Sequence, residues 1–189
     1  MVHVVDKGKR AERQVRSLLQ SVVTRVYTDY GIDVPILERN LQQSIKGGAD
    51  IRGLDWLAVE VKHQETVKLE QWWRQTCEQA GTDLLGRPIG PPPTEGIRSD
   101  GFIDGRAKRW TEETQQSAWV GRGLNRVPIL FWKTNGNSWN IVMPGLVKAE
   151  ENHVRMRISI GWEAFRTWFE LRLRQEIKKI VDGENSTKI

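Results

Sequence analysis

The chain has 189 residues, 38% of them hydrophobic and 28% charged, as expected of an ordinary globular protein forming one domain with a substantial core. Its net charge of +5 and pI near 9.5 lean toward a polyanionic partner. The single cysteine, Cys77, excludes an internal disulfide and a cysteine-built zinc site, while the lack of a membrane-length apolar run or a signal peptide points to a cytoplasmic protein.

A first helix is expected over residues 8–29, where Ala11, Val15, Leu18, Leu19, Val22 and Val26 recur at three- and four-residue steps behind Asp6 as N-cap. Glu12 falls at the edge of that apolar stripe, along the core boundary. Lys7, Lys9, Arg10, Arg13 and Arg16 crowd the first turns. Cations there disfavour the helix but suit a phosphate backbone; a solvated basic face is the alternative. After a turn over 29–35, residues 36–41 read as a short strand.

The most informative stretch is Gly47-Gly48-Ala49-Asp50-Ile51 followed by Trp56-Leu57-Ala58-Val59-Glu60-Val61-Lys62. Residues 56–62 alternate as a strand, with Leu57, Val59 and Val61 on one face and Glu60 and Lys62 side by side on the other. A reversal supplied by the Gly-Gly pair can bring the Asp50 carboxylate beside Glu60. Two carboxylates and a lysine suit phosphodiester hydrolysis: the carboxylates hold a hard cation such as Mg²⁺, which activates water and neutralises charge on the phosphate. A solvated ion pair between Glu60 and Lys62 is the alternative.

Residues 69–80 switch to helical spacing, with Leu69, Trp72, Trp73, Thr76, Cys77 and Ala80 on one side, so Cys77 reads as a small core residue. Residues 81–105 hold six glycines and four of the seven prolines, and the basic cluster Arg106, Lys108 and Arg109 with Trp110 follows. The whole of 81–114 reads as a flexible basic insertion, either a flap over nucleic acid or a surface loop. Residues 111–121 resume a weak helical pattern. Val127–Trp132 reads as a buried strand, Asn135-Gly136 as a hairpin turn into 138–143, and His153–Ile160 as one more strand.

A final helix over 162–181 carries the stripe Trp162, Phe165, Trp168, Phe169, Leu173, Ile177 and Ile180. Nine tryptophans against two tyrosines is the oddity of the composition, since Trp can pack a core, stack on bases or fill an interface. The aromatic stripe, or Trp72 and Trp73, is expected to bury surface in a homodimer; capping the chain's own sheet is the alternative.

The run Lys7-Gly8-x-x-x-Glu12, the turn Gly47-Gly48-Ala49-Asp50-Ile51 and the strand Glu60-Val61-Lys62 resemble the PD-(D/E)XK nuclease superfamily. Trp72-Trp73-Arg74-Gln75 and Pro128-Ile129-Leu130 look like its small phage-borne, Holliday-junction-resolvase-like members. The likeness covers most of 7–80 and 127–144, with Ala49 in place of the proline before Asp50. It implies an α/β fold with a restriction-endonuclease-like core, a mixed central sheet flanked by helices. It also implies a metal-dependent endodeoxyribonuclease acting on branched DNA as a homodimer, in a host cytoplasm if phage-encoded. Glu12, Asp50 and Glu60, with the Val61 carbonyl, would hold Mg²⁺ (Mn²⁺ substituting), and Lys62 would orient or deprotonate the attacking water. Lys9, Arg10, Arg13, Gln75, Arg106, Lys108 and Arg109 would contact DNA, Gln75 through the phosphate or a metal-bound water. The competing readings are a nuclease on linear duplex or DNA ends, and a DNA-binding module of the same fold without activity.

Overall fold

A computed structural model describes residues 4–41, 48–87, 89, 126–149 and 152–186. Helix α1 spans Val4–Asp29, β1 Glu38–Arg39, β2 Ile51–Arg52, β3 Leu57–His63, α2 Leu69–Ala80, β4 Val127–Lys133, β5 Asn140–Ala149, β6 Asn152–Gly161 and α3 Trp162–Ser186. The six strands form one mixed sheet in the order β1-β2-β3-β4-β5-β6. Only β3 and β4 are parallel; the other neighbours run antiparallel. A parallel pair needs a crossover on a face of the sheet, and α2 lies in the connection between β3 and β4.

Because side chains alternate along β3, its two faces separate cleanly. Leu57, Val59 and Val61 join Ile129 and Phe131 of β4 and Ile141 and Met143 of β5 in the main core. That core is closed by Ala11, Val15, Leu19, Val22, Val23 and Val26 of α1 and by Phe165, Phe169, Leu173 and Ile177 of α3. On the opposite face Leu130 and Val142 pack against Trp72, Trp73 and Cys77 of α2. At the C-terminal end of α2, three small residues, Ala49, Ala58 and Ala80, allow helix and strand to approach. Being covered on both faces, β3 is buried almost throughout.

Several boundaries differ from those read in the sequence. Helix α1 begins at Val4, so Asp6 lies within its first turn, where a carboxylate meets the positive end of the helix dipole, and does not cap it. The expected strand over 36–41 is reduced to Glu38–Arg39, because Ile36 and Leu41 point into solvent. Gly48 has φ +98°, but the reversal joining β2 to β3 lies at residues 53–56. There Gly53 has φ +113°, and a Cβ on it would stand 2.8 Å from the Ile36 carbonyl oxygen. β5 runs through Pro144-Gly145 to Ala149. It pairs with β4 only from Asn140 to Val142, so among the described strands Pro144 has no neighbour on that side, as a proline tolerates. The last helix continues to Ser186.

Phe165, Phe169, Trp72 and Trp73 are buried within the chain. Phe165 stacks on Phe169 at 5.6 Å and meets Phe131 edge-on at 5.1 Å. Phe165 and Phe169 therefore cap the chain's own sheet, with Trp162 and Trp168 of the stripe half-buried beside them. Cys77 is a core residue as read, its thiol pushed up to about 12 by burial. Arg106, Lys108, Arg109, Trp110 and the pattern over 111–121 lie outside the described residues. No helix among the described residues is long and apolar enough to cross a membrane.

Candidate active site

Antiparallel pairing of β2 with β3 sets Ile51 opposite Val59, which places Asp50 next to the middle of β3. The Asp50 amide donates to the Val59 carbonyl at 2.8 Å, and the Asp50 Oδ2 accepts from the Val61 amide at 2.6 Å. The other side of this short segment is held by Asn40. Its backbone amide donates to the Asp50 carbonyl at 2.8 Å, and its Nδ2 donates to the Ala49 carbonyl at 3.0 Å. Asn40 is itself buried. So the aspartate is fixed between β3 on one side and Asn40, next to β1, on the other.

Glu60 lies on the α2 face of β3 and is 0% exposed, as buried as Phe131. Its Oε1 forms an ion pair with the Lys62 ammonium two residues on. Lys62 keeps about a fifth of its side chain exposed, so the pair runs from the interior to the surface of the site. Asp50, 4% exposed, feels this neighbour strongly. Burial and then the Glu60 charge push its carboxyl up to about 8, Glu12 adding to the rise, while the Val61 amide and Lys62 oppose it. Asp50 and Glu60 thus sit close enough to resist carrying two negative charges together.

Glu12 comes from α1, near enough for its charge to reach Asp50, yet another group holds it. Arg39 of β1 directs both its Nε (2.8 Å) and its Nη2 to Glu12 Oε2. Arg39 and Asn40 both contact the site residues, and the sequence reading included neither. Neither carries a motif, since their roles depend on β1 folding beside β2. Among the described residues no group of three or more His, Cys, Asp and Glu side chains is placed to hold a metal ion. One or two carboxylates are nonetheless the usual protein share of a Mg²⁺ site, waters and substrate phosphate completing the shell, so Asp50 and Glu60 fit that ion while the three-carboxylate set does not form among the described residues.

The remaining expected contacts divide. Arg10 and Arg13 are exposed along α1, as is Lys9. Gln75 lies half-buried on a flank of α2, and the neighbouring Gln79 Oε1 on that flank is buried without a hydrogen-bond partner among the described residues. His63 follows Lys62 and turns to the other face, opposite Lys133 of β4 in register. Burial and the Lys133 charge hold its imidazole below the usual pKa, a hydrogen bond with Asn135 opposing them. Glu65 beyond it accepts from Lys7 at 3.2 Å and from Asn135 at 2.9 Å.

Compared with known proteins, the chain matches no family model, no curated protein and no solved structure.

Proposed function

We propose that the chain is a metal-dependent endodeoxyribonuclease built on a restriction-endonuclease-like core, with branched DNA as its substrate. One observation carries the reading: two buried carboxylates, Asp50 and Glu60, meet across β2 and β3 with Lys62 on the same face, its ammonium reaching from Glu60 toward solvent. Apolar packing does not call for this arrangement. A buried carboxylate pair is costly unless positive charge is brought to it, and a divalent cation together with a phosphodiester would bring both halves of that balance. Branched DNA is chosen from the resemblance of the chain's motifs to junction resolvases.

In this reading Asp50 and Glu60 hold the cation, with the Val61 carbonyl as a further ligand. Bound there, Mg²⁺ would lower the pKa of water and offset charge on the phosphate. The chain's own groups do the rest. The Val61 amide holds Asp50 Oδ2 so that the carboxylate cannot rotate away. Lys62 Nζ, moving from Glu60 to a phosphate oxygen or water, orients the nucleophile and stabilises the developing negative charge. Arg39 keeps Glu12 beside the pair without adding a third bare carboxylate. Paired cuts in a junction require two active sites and so a second copy of the chain, docked through a surface other than the buried aromatic stripe.

The test is cleavage of an end-labelled four-way junction beside a linear duplex of the same sequence, with Mg²⁺, with Ca²⁺ and with EDTA. Mg²⁺-dependent cutting of the junction is expected. Cutting of the duplex at an equal rate would replace the branched substrate by duplex DNA, and no cutting of either would remove the nuclease reading.

A further inference from the structure

Helix α1 has two flanks besides its core stripe. One carries Glu12 and Gln20 toward the β1 segment, where Gln20 Oε1 accepts from the Leu37 amide at 2.7 Å and its Nε2 donates to the Pro35 carbonyl at 3.0 Å. The other faces the β4–β5 turn across an open groove of about 630 Å³. Arg10, Arg13, Gln14 and Ser17 form the helix wall, and Lys133 and Trp139 form the opposite wall.

Many arginines elsewhere on the surface are neutralised locally. Arg25, Arg39, Arg87, Arg157, Arg166, Arg172 and Arg174 each form an ion pair with a carboxylate. Arg10, Arg13 and Lys133 form none among the described residues, and no Asp or Glu lines the groove. Three cations are therefore gathered without an anion. Lys133 is held in place by neutral groups: its Nζ donates to Gln14 Oε1 at 3.0 Å and lies 4.4 Å from the centre of the Trp139 ring. Trp139 is anchored in turn by edge-on contact with buried Phe131 at 6.1 Å. A cation fixed this way has lost rotamer freedom before any ligand arrives, which reduces the cost of binding.

We infer that this groove seats the sugar-phosphate backbone of DNA, with Arg10, Arg13 and Lys133 on successive phosphates and the Ser17 hydroxyl as an added donor. The inference rests on the nuclease reading for its choice of polyanion. The two sites share one helix. Glu12 and Gln14 project about 160° apart on α1, so the body of a helix, about 10–12 Å, separates the carboxylates from the groove. At 3.4 Å of rise per nucleotide that gap is about three steps of one strand. A strand crossing the N-terminal half of α1 can thus touch both. Contacts of this kind set register and orientation and carry no sequence information.

The test uses the full chain, a fluorescein-labelled duplex of about 30 base pairs, and anisotropy titrations in Ca²⁺ from about 50 to 200 mM KCl. The Arg10→Gln/Arg13→Gln/Lys133→Gln variant is compared with wild type and with a Lys178→Gln/Lys179→Gln control on α3. The triple variant should lower the log–log salt slope by about 2.7, at about 0.9 per phosphate contact, and weaken unrelated sequences equally. The control should leave the slope within about 0.5 of wild type. Circular dichroism melts establish that each variant is folded. A triple variant with the wild-type slope overturns the inference, as does a wild type that binds no duplex. So does a defect confined to phosphatidylserine vesicles, which would make the groove a lipid surface. Cleavage by wild type is scored separately in Mg²⁺. Binding that depends on the groove without cleavage would sink the nuclease reading alone, and cleavage with an unchanged slope would sink the groove alone.

Discussion

The two faces of β3 carry the same strand into opposite kinds of environment. Leu57, Val59 and Val61 enter a continuous apolar core between α1 and α3. Ala58, Glu60 and Lys62 enter the thinner layer under α2, where Glu60 is as inaccessible as any core phenylalanine. Burial of similar depth therefore has opposite meaning on the two faces. On the first, each apolar side chain stabilises the fold in proportion to the area removed from water. On the second, a carboxylate pair is held against its own repulsion by the surrounding main chain and one ammonium group. A buried pair perturbed in this way is the kind of arrangement on which the nuclease proposal rests.

The comparison can be broken most sharply by matched substitutions. Glu60→Gln keeps shape and removes charge, so DNA cleavage should fall by about 10²–10⁴-fold while the urea midpoint does not fall. Cleavage of the labelled junction at near wild-type rate would mean that the buried pair is structural. Phe169→Ala, on the opposite face, should do the reverse and cost about 3–5 kcal/mol of stability in urea unfolding. Its residual activity should track the folded fraction. A loss below about 1 kcal/mol would mean that α3 is only loosely seated on the sheet.

A third effect is one of pH. Asp50 has its carboxyl raised from the ordinary 3.8 to about 8 in the folded chain. A raised pKa favours the protonated folded form, so its contribution is complete below the unfolded value and is lost as pH rises toward 8. In EDTA the urea midpoint of wild type should therefore decline between about pH 4 and pH 8 relative to Asp50→Asn. A constant difference between the two proteins across that range would show that Asp50 is ionised throughout. Saturating Ca²⁺ should flatten the decline, because a bound cation favours the ionised carboxylate.

Much of this was legible in the sequence. The period of two over residues 56–62 separated Glu60 and Lys62 from the apolar set, because alternation is a local property of an extended chain. The three-to-four spacing of Ala11 through Val26 and of Trp72 through Ala80 marked two helices and their buried sides for the same reason. What the chain could not declare was which elements meet. The Arg39–Glu12 contact joins residues 27 apart and the Lys133–Gln14 contact joins residues 119 apart, and no local pattern records either. The aromatic stripe of α3 was legible as apolar, but only the packing of α3 beside α1 decided that it closes the chain's own core. Composition and periodicity determine which surfaces must leave water, since that depends on each side chain and its immediate neighbours. Which partner receives them, and which charges are thereby left paired or bare, is decided only when distant strands and helices come into register.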